Sequence, residues 1–579
     1  MGDRVRIEDF SIIFDFLLVS IIFFLCLYLL GGTLRTGYPR HHLDATVAFY
    51  IAKIKMLLRN RSLFTESWYF GYEMLKYYPP LSTVIPAFFA NMTGKLLLSY
   101  YFLCFFFYTM FCLGIYMFVS RFFSSRLAGV FSGVLWVFTH VNFISFQGHY
   151  WETSRLIGTA ATPWVLYFIH RTFEEGRKIN LIAGVALSSY CLLSNLFSAI
   201  DLVVFAGPYL ILSLLSTRPQ SRGFVVLTSF LVGVPAFSIW WYIPSVLPHG
   251  LNTYLSGSTT FTPPLAETFL QFYPPNTMPA IQLPLTILGI TGIALGVAKQ
   301  SRDGFLMAFW FLASIFSVYI LKIQSWRFVL LIGICFVFSA GYLIKEAQNL
   351  LYQREIGLST QIALPLILLL SLGYLSFLYL PNYQPSAVVD DMFLTSDEFI
   401  VSTWLAENTG PNMRAYLMWG SWFRGSQWVN AFYPEVKQVL GGYDEGARIE
   451  NIAPFLFDDL VKFGVDAQEL HMEAKLYHVR YIVIDNRYME AQGPSYEKFG
   501  DMRSFNPVED LNDKLRYASV YEVLDVTGMV NEPHEPYETY RYWGLWRGIG
   551  LIVSCFLLSF FAYFIIVSDF KSNKRCDDV

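Results

Sequence analysis

Asp44, His149 and Glu152 are the side chains of this chain whose types and setting lend themselves to chemistry. Two carboxylates and an imidazole form an oxygen/nitrogen set that suits a divalent cation. His149 and Glu152 stand three apart in FQGHYWETSRLIG (146–158), so on a helix they share a face. Asp44 stands directly before a helix predicted from Ala45 to about Asn60, where a carboxylate is also a good N-cap; a cap and a chemical role are both open. Basic side chains accompany them. Lys76, in YEMLKYYPP (72–80), would meet a phosphate as a point charge or would snorkel to the interface. Arg155, beside a predicted span, is placed as a phosphate clamp, and Lys322 and Arg327 bracket IQSW in a tight turn.

Those residues need a scaffold, and the composition says which kind. The 579 residues are 55% hydrophobic, 18% aromatic and 15% charged. A soluble domain is nearer roughly 45–50% apolar and about 25% charged. Apolar runs long enough to cross a bilayer recur along the chain, and helices are the form in which such runs satisfy their own backbone. About twelve spans are expected, near 10–31, 96–120, 127–145, 155–170, 179–197, 200–216, 223–241, 281–298, 304–320, 328–345, 362–380 and 544–567. The first run is too long for a signal-peptide core and is read as a retained span. Asp15, one turn inside it, is expected to reach back to the interface. The stretch 79–93 opens on Pro-Pro and is short, which predicts a re-entrant or juxtamembrane helix.

With the N-terminus inside, every cytoplasmic loop carries lysine or arginine, as the positive-inside bias expects. The expected organisation is a membrane module over 1–380, an outer domain over 381–543, and a last span with a cytoplasmic tail over 544–579. Outer loops fall at 32–95 and 242–280. The loop 32–95 departs from the bias, with eight basic against three acidic residues. A basic surface beside lipid favours phosphate headgroups, although a solvated helix face would look the same. Val47, Ile51, Ile54 and Leu58 make one apolar stripe on the predicted helix, which should therefore lie along the membrane surface.

The segment 381–543 holds 26 acidic and 13 basic residues, a net of −13, leaving +10 elsewhere. RAYLMW (414–419), HVRYIVID (478–485) and ASVYEVLDV (518–526) read as strands, and ARIENIAPFLFDDLVKFG (447–464) as an amphipathic helix ending at glycine. A small mixed α/β domain follows. The seven cysteines show no CxxC and no pairing pattern. There is no P-loop, dinucleotide fingerprint, HExxH or GxSxG, so nothing points to nucleotide use or to nucleic acid, and an activated donor would have to come from lipid.

One span, a long outer loop with an acidic residue near its start, KYYPP leading into an apolar helix, many spans and an outer C-terminal domain together resemble the GT-C superfamily of membrane glycosyltransferases. KYYPP is similar to the Lys/His-Pro-Pro stretch of aminoarabinose and protein O-mannosyl transferases, with two tyrosines interposed. HYWETSR stands where oligosaccharyltransferases carry their second acidic motif, without the Asp-x-Asp form. MWGSWFRG (418–425) resembles their Trp-Trp-Asp-Tyr-Gly motif but lacks the aspartate, so that role is not carried over. The chain also resembles membrane proteins labelled 6-pyruvoyl-tetrahydropterin synthase-related, over roughly 10–345.

The resemblance implies inverting transfer of a sugar from a polyprenyl-phosphate donor to a glycan, lipid or protein acceptor at the outer face. Asp44 would then be the base. His149 and Glu152 would orient the acceptor or hold a divalent cation such as Mg or Mn, and Lys76, Arg155 and Arg327 would hold the donor phosphate. Two rivals stand beside this reading. A lipid-linked-sugar transporter or flippase would need charges deep in the spans and an inverted repeat; few central charges and no repeat are seen. A non-catalytic membrane scaffold would use the acidic outer domain to bind a partner.

Overall fold

The computed structural model describes residues 12–30, 34, 45–60, 64–65, 67–69, 72–73, 79–144, 153–216, 220–246, 279–320, 328–354, 363, 366–367, 370–371, 374, 396–418, 425–441, 453–490, 493–527 and 539–567. Helix α1 (Ile12–Leu30) is followed by α2 (Ala45–Asn60), a two-residue hairpin of β1 (Phe64–Thr65) and β2 (Tyr72–Glu73), and α3 (Leu81–Thr93). The bundle continues with α4 (Leu96–Phe122), α5 (Arg126–Ile144), α6 (Thr153–Thr159), α7 (Thr162–Glu175), α8 (Lys178–Ser194), α9 (Leu196–Ser216), α10 (Gln220–Val246), α11 (Pro279–Ala298), α12 (Arg302–Tyr319) and α13 (Val329–Gln353). Among the described residues five helices are long and apolar enough to cross a membrane: 96–122, 196–215, 223–245, 329–353 and 546–563. Shorter apolar helices lie between them, and α3, with 13 residues, falls short of the roughly 20 that a span requires.

Polar contacts fix one end of the bundle. Asp15, expected to reach back to an interface, is partly exposed and paired. Its carboxylate accepts from Arg126 (Nε 2.8 Å, Nη2 3.0 Å) and from the Tyr116 hydroxyl at 2.7 Å, tying α1 to α4 and α5. At the same end Ser125 donates to Gln348, Arg302 to Ser213, and Lys345 faces Asp303 at 3.6 Å. The opposite end carries α2, α3, α6 and the tight turn between α8 and α9.

The smaller unit holds α14 (Asp397–Asn408), β3 (Arg414–Leu417), α15 (Gly425–Phe432), α16 (Ala453–Phe463), α17 (Ala467–Leu476), β4 (Val479–Asp485), β5 (Phe505–Pro507) and β6 (Ala518–Val523); α18 (Thr539–Val567) returns to pack along α10. The sheet order is β3-β4-β6-β5, with β3 and β4 parallel and the other pairs antiparallel. Side chains alternate across β4. Tyr481 and Val483 join Val401, Leu405 and Val429 on one face; Ile482 and Ile484 join Phe457, Val461 and Leu470 on the other. The three strands and the helix before Gly464 stand where the sequence predicts them.

Helix α2 has the predicted bounds but a different environment. Phe49, Ile51, Ala52, Lys53 and Ile54 are all fully buried, on more than one stripe. Helix α3 of the bundle and α15 of the smaller unit both pack against α2. Burial therefore extends beyond the single apolar stripe read from the sequence.

Candidate active site at the covered end of the bundle

The first loop and the smaller unit are joined by directed hydrogen bonds. Lys55 Nζ donates to the Phe432 carbonyl at 3.3 Å and Arg59 pairs with Glu435. Trp68 Nε1 donates to Asn430 Oδ1 at 2.7 Å, and Gln438 Nε2 donates to the same oxygen. Ser67 Oγ donates to the Pro434 carbonyl at 2.7 Å, and the Gln438 amide donates to the Ser67 carbonyl at 2.9 Å. Gly441 makes this approach possible, since a Cβ there would sit 2.1 Å from the Trp68 ring. Trp68 stacks on Phe49 and Tyr69 on Phe455, which fills the seam with aromatic rings. Burial pushes the Lys55 ammonium below its ordinary pKa, and Glu435 only partly offsets that.

Lys55 meets Phe432, the last residue of α15, and Arg59 meets Glu435 in the turn just beyond it. Asp44 immediately precedes α2 and WGSWFR (419–424) immediately precedes α15; both lie outside the described residues. In the first turn of α15, Gln427 is 1% exposed, and among the described residues neither its Nε2 nor its Oε1 has a hydrogen-bond partner.

Helix α3 packs against α2, α6 and α8, so it links this seam to the interior. Pro79 and Pro80 are buried at its start, three and four positions after Lys76 in sequence. Proline suits this place because it needs no amide partner in the first turn, and the Pro80 carbonyl takes the Thr83 and Val84 amides.

Arg155, in α6, is the one proposed site residue that is described. It is 8% exposed, and its guanidinium grips a carboxylate that sequence reasoning missed, Asp201 in α9, which is fully buried. Arg155 Nη2 donates to both Asp201 oxygens at 3.0 and 3.3 Å and Nε donates to Oδ2 at 3.3 Å. The Thr159 hydroxyl donates to Oδ2 at 2.8 Å, and Ser198 Oγ donates to the Arg155 carbonyl at 3.0 Å. Gly158 allows this closeness: a Cβ on it would lie 2.5 Å from Ser198 Oγ. The Phe328 ring, next in sequence to Arg327, lies 5.8 Å from the guanidinium carbon. Among the described residues Arg155 Nη1 has no acceptor. The signal for Asp201 was a single acid within the apolar run LFSAIDLVVFAG (196–207), since a charge inside a span demands a partner or a function.

Asp44, Lys76, His149, Glu152 and Arg327 all lie outside the described residues, and so does most of the loop 242–280. Among the described residues no group of three or more histidine, cysteine or acidic side chains could hold a metal.

Comparison with known proteins gives the fold. The oligosaccharyltransferase of Archaeoglobus fulgidus superposes with a TM-score of 0.57 at 10% identity, over 86% of this chain and 74% of its own. The arabinofuranosyltransferase AftD from Mycobacteria gives 0.56 at 13%, over 89% of this chain and 40% of its own. ArnT from Cupriavidus metallidurans, solved with undecaprenyl phosphate, gives 0.51 at 13%, over 89% and 99%. These are GT-C enzymes, and the chain has their fold. No curated protein matches it in sequence. A family profile described as "6-pyruvoyl-tetrahydropterin synthase related domain; membrane protein" matches residues 75–388, more than half of the chain. The chain therefore belongs to that family of membrane proteins, the 6-pyruvoyl-tetrahydropterin synthase-related proteins, and builds it on a GT-C fold.

Proposed function

We propose that the protein is an inverting glycosyltransferase that moves a sugar from a polyprenyl-phosphate donor to an acceptor hydroxyl at the outer membrane face. The observation that carries this is the Arg155 guanidinium: oriented on one edge by Asp201, buried at the covered end of a membrane bundle, with Nη1 left for an anion. A leaving phosphate needs preorganised positive charge of this kind. Lys76 and Arg327 would add to it. The GT-C neighbours act on sugars, and ArnT was solved with undecaprenyl phosphate, which supports a lipid-phosphate donor.

Asp44 takes the proton from the acceptor hydroxyl as the oxygen attacks the anomeric carbon, and the bond to the lipid phosphate breaks with inversion. His149 and Glu152 orient the acceptor. With Asp44 they form a donor set whose oxygen and nitrogen atoms suit Mg or Mn, and an oligosaccharyltransferase of this fold was solved with Zn and sulfate. Such a cation would offset charge on the departing phosphate.

The chain sits in the cell membrane with about twelve spans and both termini cytoplasmic; residues 381–543 face outside, over the first loop. The seam between α2 and α15 supports placing that loop and that domain on the same side.

A deletion strain complemented with the parent or with Asp44→Asn tests the reading. Asparagine still caps the helix, so expression and melting should hold, while transfer should fall by about 10²–10⁴. Mass spectrometry should then show lipid-linked sugar accumulating and a surface glycan lost. A well-folded Asp44→Asn that restores the glycan would remove Asp44 as the base. A deletion strain with unchanged glycans and lipid-linked sugars would favour a scaffold.

A further inference from the structure

We infer that Asp201 is a built-in counter-anion for Arg155: it orients the guanidinium and keeps its hold on a lipid phosphate weak enough for the spent carrier to leave. This rests on the lipid-phosphate reading above. Both Asp201 oxygens are occupied, Oδ1 by Arg155 Nη2 and Oδ2 by Thr159 and by Arg155 Nε and Nη2. Thr159 lies one turn from Arg155 on the same helix, and Ser198 holds the Arg155 backbone, so the fork is fixed from three sides.

An arginine has five N–H donors in a rigid plane. Asp201 uses the Nε/Nη2 edge and, among the described residues, leaves Nη1 without an acceptor on a side chain that is otherwise buried. A phosphate oxygen arriving at Nη1 completes the plane. It also meets an arginine whose positive charge is partly offset by a carboxylate on the far edge of the same group. In a low-dielectric site the two anions oppose each other through the guanidinium. Stability alone does not require this arrangement, because a buried ion pair is commonly replaced by apolar side chains without loss, and α6 and α9 already pack closely at Gly158 and Ser198.

The test uses the full chain in phosphatidylcholine nanodiscs and titrates undecaprenyl phosphate, with undecaprenol and inorganic phosphate as separate arms. The parent should bind undecaprenyl phosphate, undecaprenol far more weakly, and inorganic phosphate weakly, which places the recognition in a lipid-borne phosphate. Asp201→Asn keeps the shape and removes the charge; binding should tighten about tenfold, the scale of one charge-assisted hydrogen bond. Arg155→Lys keeps the charge but not the fork, and binding should loosen about tenfold. The double variant Asp201→Asn/Arg155→Gln should lose the distinction between undecaprenyl phosphate and undecaprenol.

A structural pair would behave differently, with Asp201→Asn binding as the parent does or more weakly. That result overturns the counter-anion role and leaves the donor reading standing. A parent blind to the phosphate, or one that binds inorganic phosphate as well as the lipid, overturns the inference together with the lipid-phosphate reading. Should Asp201→Asn fail to fold, Thr159→Val reads the same balance in reverse. The carboxylate then leans on Arg155 alone and binding weakens about threefold; unchanged or tighter binding counts against the inference.

Discussion

Two arginine–aspartate forks of the same design stand at opposite ends of the bundle. Arg126 holds Asp15 through Nε and Nη2, with the Tyr116 hydroxyl on the same carboxylate; Arg155 holds Asp201 through Nε and Nη2, with the Thr159 hydroxyl added. Their surroundings differ. The side chains of Arg126 and Asp15 are 24% and 40% exposed, those of Arg155 and Asp201 9% and 0%. Water or headgroups reach the first pair and can replace any bond it loses. The second has no such reserve, so its geometry is tied to whatever binds beside it. Similar chemistry therefore serves as a fastener at one end and as a tuned site at the other.

The largest effect is expected from breaking the buried fork. Arg155→Ala leaves Asp201 alone in the interior and should cost about 3–5 kcal/mol, read as a large fall in melting temperature in nanodiscs. A loss below about 1 kcal/mol would make the two forks equivalent.

A buried carboxylate without a fork sharpens the contrast. Glu398, at the start of α14, is 5% exposed, and burial pushes its pKa up to about 7. Below about 4.5 it carries a proton in folded and unfolded chains alike; between there and about 7 the folded chain alone keeps it. Its contribution to stability therefore falls as pH rises through that window. Glu398→Gln should raise stability by about 2 kcal/mol at pH 8 and change little at pH 4, as melting curves at both pH values would show. Equal effects at the two pH values would contradict this.

Removing one hydroxyl from the buried fork is a smaller change. Thr159→Val should cost about 1.5 kcal/mol of stability. The smallest effect belongs to the exposed fork, where Arg126→Ala should cost under about 1 kcal/mol by the same melting measurement and fade further at high salt. A loss as large as that of Arg155→Ala would erase the distinction.

Much of the fold was legible because it rests on local signals. The helix 45–60, the strands at 414, 479 and 518 and the stop at Gly464 follow from periodicity and breakers within a few residues. What was not legible depends on contacts across long stretches of chain. Helix α2 is packed by a helix about 380 positions away, which no local pattern encodes. Asp201 was visible as an acid in an apolar run, but its partner lies 46 positions upstream in a segment read as a span edge. Gln427 carried no signal at all: it sits among polar and aromatic residues in sequence, and only the structure shows that, among the described residues, it lacks the partners Asn430 has one turn on. Of the proposed site residues Arg155 alone falls among those described, and it arrives already engaged.

The seam between α2 and α15 has a consequence for how the protein is made. Residues 45–69 leave the ribosome early, and the groups that cover them, from Phe432 to Gly441, leave it several hundred residues later. At elongation rates of about 5–20 residues per second the interval is on the order of twenty seconds or more. Through that time Phe49, Trp68 and Lys53 face a surface that is not yet there. Residues 45–69 therefore wait, unfinished, until residues 432–441 close over them.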